Sequence, residues 1–280
     1  DPGAIALDGF QIFFREQRPF FVENKNIFDF EFANGSDNLF YSRRVGRNPH
    51  RGANLSNGEF ADVPLNSTIL GAAKFSGKTQ NGWSLGILES VTGNEYATIK
   101  QVNGNTREEI LEPLTNYFVT RVQKDFNDRN SFIGGIFTTT NRNLNDNFNE
   151  LHKAAYTGGV DFQHNWKNRA YFVDGNIIMS HVTGSAEAIE NTQRSITRLF
   201  QRTDATHVSV DSKRTSLTGT GGRIEAGKNG GGNWRYNGGF IWRSPELELN
   251  DVGFLRRTDE MIQFANLRYL WQVPTENFRN

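Results

Sequence analysis

Aromatic and polar side chains alternate in the segment NWRYNGGFIW, residues 233–242. Trp234, Phe240 and Trp242 share one parity, whereas Arg235 and Asn237 share the other. Because successive side chains of a β-strand point to opposite faces, the segment predicts a strand with one aromatic and one polar face. Such a strand suits a position between two different environments.

Strand-like runs recur along the chain from residue 67 onward. Eight of them form four pairs joined by short polar turns, and Asn81-Gly82 is a strong hairpin signal in the first pair. Long charged segments separate the pairs, so short and long connections alternate. This order predicts an antiparallel up-and-down sheet with short turns at one end and long loops at the other. The runs are residues 67–77, 83–93, 115–126, 131–140, 154–166, 170–181, 216–227, 234–242 and, without a partner, 263–273.

Helical patterns are rare in this chain. Only residues 106–114 and 185–200 are candidates, and both lie in long segments between strand pairs. The chain is therefore expected to be all-β, with helices confined to loop excursions.

Aromatic residues stand beside the short turn of every pair. Eight residues separate Trp234 from Trp242, which is about 27 Å along a strand and roughly 20 Å across a tilted barrel wall. This spacing fits two aromatic girdles around the apolar band of a transmembrane β-barrel. A soluble β-sandwich also alternates and stays an alternative, but the glycine, threonine and charges on the polar faces favour the barrel. The turn aromatics are Trp83, Phe126, Phe132, Trp166, Tyr171 and Trp234.

Composition supports a folded chain and narrows its partners. With 280 residues, 36% hydrophobic and 22% charged, the chain is not disordered, and its zero net charge gives no field that attracts nucleic acid. Cysteine is absent, which excludes disulfides and thiolate metal sites. No apolar run approaches the roughly 18 residues of a spanning helix, so any membrane would be crossed by strands. We expect a signal peptide to have been removed or to lie upstream.

Catalytic motifs are thin. The five histidines show no H-E-x-x-H spacing, HVTGSAEA is not a nucleophile elbow, and residues 219–227 depart from the dinucleotide motif. Residues 143–150 lack the central glycine of a calcium loop. No catalytic residue, cofactor or metal is therefore predicted, and an outer-membrane hydrolase stays an alternative only through its loop carboxylates. These carboxylates are Glu246, Glu248, Asp251, Asp259 and Glu260.

Charged residues also fall on the predicted polar faces, where they would line a barrel lumen. They would act as a filter for solutes or as a structural ladder of ion pairs, and the sequence leaves both open. The candidates are Arg121, Asp161, Asp174, Arg223, Glu225, Arg235 and Arg268.

Residues 1–66 form a separate segment rich in arginine and phenylalanine, ahead of barrel hairpins at 67–280. Guanidinium groups beside aromatic rings suit an anion or sugar site. The alternative is a plug or first strands whose arginines pair with acids, and we expect them to meet Asp161, Asp174 and Glu225. The arginines concerned are Arg15, Arg18, Arg43, Arg44 and Arg47.

Several segments together resemble a known family. They include FFREQRPFFVENKNIFDF, LFYSRRVGRNP, ILGAAKFSGKTQNGWSLGILESVTGNE, EPLTNYFVTRVQKDFN, SHVTGSAEAI and WRSPELELNDVGFLRRTDE. In this order they resemble bacterial outer-membrane β-barrel proteins catalogued as a domain of unknown function (5916), which usually follows a carbohydrate-binding-module family 9-like domain.

The resemblance implies a location in the bacterial outer membrane and no settled activity. It is compatible with uptake or surface binding, and a secreted carbohydrate-active β-sandwich is the alternative. The expected partners are outer-membrane lipid, glycans or small solutes and a larger membrane complex, without nucleic acid. Because single-chain bacterial barrels have an even number of strands, we expect the nine runs to be a fragment whose closing strands follow Asn280.

Overall fold

The computed structural model describes residues 12–30, 32–33, 37–145 and 147–271. Strands dominate these residues, and the helical parts are short. The strands are β1 (Phe60–Asp62), β2 (Ile69–Lys78), β3 (Trp83–Thr92), β4 (Glu95–Lys100), β5 (Thr106–Glu112), β6 (Thr115–Phe126), β7 (Ser131–Arg142), β8 (His152–Trp166), β9 (Tyr171–Gly184), β10 (Ser216–Lys228), β11 (Trp234–Arg243) and β12 (Glu260–Tyr269). The helices are α1 (Pro19–Val22), α2 (Ala186–Arg194) and two 3-10 turns, Lys25–Ile27 and Ser42–Arg44.

Nine strands form one antiparallel sheet in the order β12-β11-β10-β9-β8-β7-β6-β3-β2. They correspond to the nine runs predicted from the sequence, and the alternation of short turns with long loops is confirmed. Strands β2 and β12 are the two edges, so the described residues form an open sheet and no closed barrel is found among them. The all-β antiparallel prediction is confirmed at this level.

The turn after β6 shows how a short connection is made. Asn127, Asp128 and Arg129 all have positive φ, between 51° and 61°. Asn and Asp tolerate this left-handed region because their short polar side chains bond locally. The chain therefore reverses over 127–130 without glycine.

A second, smaller sheet has the order β1-β4-β5, with β4 and β5 from the long segment between β3 and β6 and β1 from the N-terminal segment. The prediction of a helix over 106–114 is wrong, because these residues form β5. Leu111 packs with Ala97 and Ile99 of β4 in a small core, and this burial overrides the helical propensity of the three glutamates in this segment. The predicted helix at 185–200 is confirmed in part by α2, whose N-cap Ser185 Oγ accepts from Ala188 N at 3.0 Å.

The two faces of the large sheet differ in what covers them. The outer face exposes apolar side chains such as Ile133, Val160 and Ile177. The inner face is covered by the N-terminal segment and by residues 247–255 of the β11–β12 loop, and together they form the main core. Phe132, expected at the aromatic girdle, has the parity of inner-face Ile136 instead.

The N-terminal segment lies across the inner face of the sheet. Its alternating phenylalanines sit over strand glycines, where an added methyl group would collide with a ring. At Gly159 that methyl would lie 2.7 Å from Cζ of Phe30. The described residues of the segment contribute no strand to the large sheet, and among them β1 is the one strand that forms, in the small sheet. The ring and glycine pairs are Phe28 with Gly86, Phe30 with Gly159, and Phe32 with Gly221.

No helix of the described residues has the length and hydropathy needed to cross a membrane.

Candidate functional site

A buried, bidentate ion pair on the inner face joins Arg121 of β6 to Asp161 of β8. Both guanidinium nitrogens donate to the carboxylate at 2.7 Å. The pair spans the intervening strand β7 at Gly134, where an added methyl group would lie 2.5 Å from Arg121 Nη1. The Arg121 guanidinium also stacks on Phe30, 5.3 Å from the ring centroid. Both residues are buried. The contact of Arg121 with Phe30 links this ion pair of the sheet to the N-terminal segment.

A second ladder crosses β9, β10 and β11. Arg223 lies 3.3 Å from Asp174 and also pairs with Glu225. Asn237 Nδ2 donates to the Glu225 carboxylate at 2.5 Å. Asp174 and Glu225 of the inner face thus have partners on neighbouring strands of the same sheet.

This arrangement corrects one expectation. We expected arginines of the N-terminal segment to meet Asp161, Asp174 and Glu225. This is wrong, because arginines of the large sheet, Arg121 and Arg223, pair with these acids. Arg121 reaches Asp161 across Gly134 of β7, and Arg223 reaches Asp174 diagonally on β9 and Glu225 two residues along its own strand. The contacts agree with a structural ladder.

Arg235 and Arg268 are not part of either ladder. They are direct cross-strand partners on β11 and β12, near the short-turn end. Arg235 donates to the carbonyl oxygens of Gly232 and Trp234 at 2.7 and 3.0 Å, and Arg268 is exposed. Two like charges thus face each other at the edge of the sheet, where they repel.

Of the five arginines predicted to form an anion site or a plug, four line one pocket of about 820 Å³. We call it the arginine pocket; Arg15 lies outside its lining. The pocket is bounded by the N-terminal segment and the start of β2. The lining residues used below are Ile12, Phe14, Glu16, Arg18, Arg43, Arg44, Arg47 and Ile69.

Glu16 is the acidic residue of this lining, and its carboxylate is fully engaged. It accepts from Arg18 Nη2 at 2.7 Å and from Ser42 Oγ at 2.6 Å. Burial alone would raise the pKa of Glu16, but the hydrogen bonds from Arg18 and Ser42 outweigh it and lower the pKa to about 2. Glu16 is therefore an anion that is neutralised by Arg18.

Arg44 and Arg47 are the two arginines of the pocket whose pKa values are lowered by burial. Arg44 donates to the Gly253 carbonyl at 2.9 Å and to Asn250 Oδ1 at 3.0 Å. Burial, together with repulsion by Arg47, lowers the pKa of Arg44 to about 10. Burial also lowers the pKa of Arg47. The two cations are thus held close together in a poorly solvated place.

The long loops are joined by a buried polar network that the sequence analysis missed. Asp251 accepts from Arg142 Nη1 at 2.6 Å and lies 2.8 Å from His152 Nδ1. Burial would lower the pKa of His152, but Asp251 outweighs it and the pKa is raised. Burial would likewise raise the pKa of Asp251, yet His152 and Arg142 lower it. The network connects the ends of β7 and β8 to the β11–β12 loop.

Asp251, His152 and Thr192 are arranged like the acid, base and nucleophile of a catalytic triad, since His152 Nε2 lies 2.7 Å from Thr192 Oγ1. However, Thr192 Oγ1 donates to the Ala188 carbonyl at 2.9 Å and is buried. A nucleophile must reach substrate, so this chain of hydrogen bonds is a structural contact.

The other loop carboxylates are paired as well. Glu248 is buried beside Arg198 at 2.8 Å, and so these loops are more desolvated than their charge suggested. Within the described residues no group of three or more His, Cys, Asp or Glu could hold a metal ion. The remaining pairs are Glu246 with Arg214 at 2.6 Å, Asp259 with Arg202 at 2.6 Å, and Glu260 with Arg243 at 3.1 Å.

Comparison with known proteins gives a family and no further relative. No curated protein and no solved structure matches the chain significantly. The association with a carbohydrate-binding module stays a prediction. The family model for a domain of unknown function, DUF5916, matches residues 1–280, and the chain therefore belongs to the DUF5916 family.

Proposed function

We propose that this chain is part of a bacterial outer-membrane β-barrel protein that binds small solutes or glycans at the surface or takes them up, without catalysis. In this proposal the nine-stranded sheet is the lipid-facing wall. The N-terminal segment occupies the interior, and the long loops form the extracellular end.

The observation that carries the proposal is the apolar outer face. Val160 and Ile177 are both 58% exposed and Leu267 is 69% exposed, on three different strands. Soluble monomers rarely leave a contiguous apolar face of this kind in water. No other described element covers this face, as a second sheet would in the β-sandwich alternative. Lipid is the surrounding that stabilises it.

The aromatic residues at the short-turn end support the same orientation. Trp166 stacks on Tyr171 with centroids 5.7 Å apart, and Trp234 meets Tyr269 edge-on at 4.9 Å. These rings belong to the outer face and stand where a membrane interface would lie. In bacterial barrels the short turns are periplasmic and the long loops extracellular.

The covering of the inner face favours solute binding or gated uptake and argues against a permanently open pore. Phe28, Phe30 and Phe32 of the N-terminal segment are buried against the inner face, and Arg121 and Asp161 neutralise each other beneath Phe30. Solute passage would then require the segment to move. The loop-carboxylate hydrolase is the weaker alternative, because its carboxylates are held in ion pairs.

The test compares Ile177→Arg, in the middle of β9, with Thr139→Arg, on the outer face of β7 closer to the loops. In liposomes Ile177→Arg should cost about 2–4 kcal/mol of folding free energy, and Thr139→Arg should cost ~1 kcal/mol or less, because the penalty falls away from the bilayer centre. Folding is measured by urea titration in liposomes and by heat-dependent mobility on gels.

An outer face that meets water would give a different result. An arginine at an exposed position of a soluble sheet is usually within about 0.5 kcal/mol of neutral. A soluble wild-type chain without detergent, in which both variants are as stable as the wild type, would therefore contradict the membrane wall.

A further inference from the structure

We propose that the arginine pocket binds a small organic anion through carboxylate or phosphate oxygens, with Arg47 as the guanidinium that contacts it. The pocket is formed by the N-terminal segment and the start of β2. The inference concerns this pocket alone and does not require the sheet to cross a membrane.

The acid of the lining does not serve Arg47. Four arginines and one glutamate line the pocket, and that glutamate, Glu16, is taken up by Arg18 and Ser42. Among the described residues Arg47 therefore has no acid of the lining as its partner. A guanidinium in a partly enclosed pocket attracts an anion more strongly than the same charge would in water.

Arg47 is the residue whose donors have no use inside the protein. Within the described part of the chain its guanidinium makes no hydrogen bond or ion pair, although it is largely enclosed and open mainly to the pocket. A guanidinium offers five N–H donors in a planar fork that matches carboxylate and phosphate oxygens. Because Arg47 is only partly exposed and lines the pocket, an incoming oxyanion can form charge-assisted hydrogen bonds with those donors.

The two acids that interact electrostatically with Arg47, Glu112 and Asp251, are already engaged. Glu112 accepts from the His50 backbone at 2.8 Å and lies 2.7 Å from His50 Nδ1. Asp251 is held by Arg142 and His152. Neither carboxylate is available to Arg47, and the phenol of Tyr117, which also faces it, is buried and neutral.

The chain is shaped to present this residue. Gly46 has a φ of +73°, a conformation that favours glycine. The following residue, Arg47, is fixed through its carbonyl, which accepts from Ser67 N at 2.8 Å. Ile12, Phe14 and Ile69 give the pocket an apolar side, so a carbon skeleton fits beside the charge. The volume of about 820 Å³ is that of a small-molecule site.

The experiment measures binding of three probes by isothermal titration calorimetry to the full chain in detergent micelles, at constant ionic strength. The probes are glucuronate and inorganic phosphate as anions and glucose as the neutral match for glucuronate. The variants are Arg47→Gln and the matched control Arg15→Gln, which removes the same charge from an exposed residue outside the pocket lining.

We expect glucuronate or phosphate to bind the wild type and the Arg15→Gln variant equally, and glucose not to bind. Arg47→Gln should weaken anion binding at least tenfold while circular dichroism and the melting temperature stay at or above wild-type values, because an enclosed cation has been removed. A further variant that lacks residues 1–11 tests whether Asp1 or Asp8 of the same chain competes for the pocket.

Three results would overturn the inference. The first is equal loss at Arg15→Gln and Arg47→Gln, which would make the binding a general charge effect. The second is unchanged binding after Arg47→Gln. The third is the absence of anion binding in the wild type, or its appearance only after residues 1–11 are removed, which would identify a carboxylate of the chain itself as the occupant.

Discussion

The packing of Phe30 against Gly159 allows a direct test of whether the N-terminal segment covers the inner face of the sheet. A methyl group at Gly159 would lie 2.7 Å from Cζ of Phe30 and 2.9 Å from Cγ2 of Ile178. Both atoms belong to the main core, so neither can withdraw into solvent. Overpacking of this kind typically costs about 1–3 kcal/mol, and we expect Gly159→Ala to lower the free energy of unfolding by that amount.

The neighbouring glycine supplies the control. At Gly158, on the outer face of the same strand, an added methyl group would meet Phe137 Cδ2 at 3.7 Å, which is ordinary contact. Gly158→Ala should therefore stay within about 0.5 kcal/mol of the wild type. Since both substitutions restrict the unfolded chain equally, the difference between them isolates the contact with the N-terminal segment.

The assay is urea unfolding in detergent micelles, followed by tryptophan fluorescence, on a double-mutant cycle. Phe30→Leu removes the ring atom that meets the methyl group, so Gly159→Ala should cost less in that background. The coupling should fall within about 0.5–3 kcal/mol. Equal losses at Gly158 and Gly159, or no coupling between Gly159 and Phe30, would refute the placement of the segment on this face.

Three further outcomes follow from the contacts. Asp161→Asn should cost about 3–5 kcal/mol in urea unfolding, because it leaves a buried arginine without its carboxylate; a loss below ~1 kcal/mol would mean that the pair is solvated. The pKa of His152 is raised in the folded state, so its stabilisation is complete below the ordinary value of about 6.5 and is lost as pH rises through the folded pKa. The stability difference between wild type and His152→Gln should accordingly shrink as the pH rises above the ordinary pKa of histidine, and a constant difference would contradict the contact with Asp251. On intact cells an impermeant maleimide should label a cysteine at Thr203 and not one at Asn168, and the reverse would invert the proposed topology.

The sequence determined the strands because their signals are local. Alternation with a period of two places Trp234 and Phe240 on one face and Asn237 on the other whatever the surroundings, and the register of β11 with β10 and β12 keeps them there. The short turns are equally local, since Asn81-Gly82 defines a hairpin by its backbone preferences alone. These features gave the nine strands and their antiparallel order.

Tertiary structure decided which face is covered and by what. The phenylalanine alternation of residues 28–32 resembles a strand, but its rings are held by strand glycines far along the chain, as Phe30 is by Gly159. Residues 106–112 contain good helix formers and still form β5, because Leu111 is buried against β4. In both cases contacts between distant residues outweigh a local preference of a few tenths of a kcal/mol per residue.

The candidate sites divide in the same way. Residue type and parity identified Arg121, Asp161 and Arg223 as inner-face charges, because parity is a property of the strand. Their partners depend on which strands are neighbours and on the space that Gly134 leaves between them. The arginines of the N-terminal segment are alike in sequence, and only the folded chain separates Arg44, which reaches a loop carbonyl, from Arg47, which faces a pocket. Burial and hydrogen-bond partners are set by the whole fold, and they decide which of several equal charges is left to bind something else.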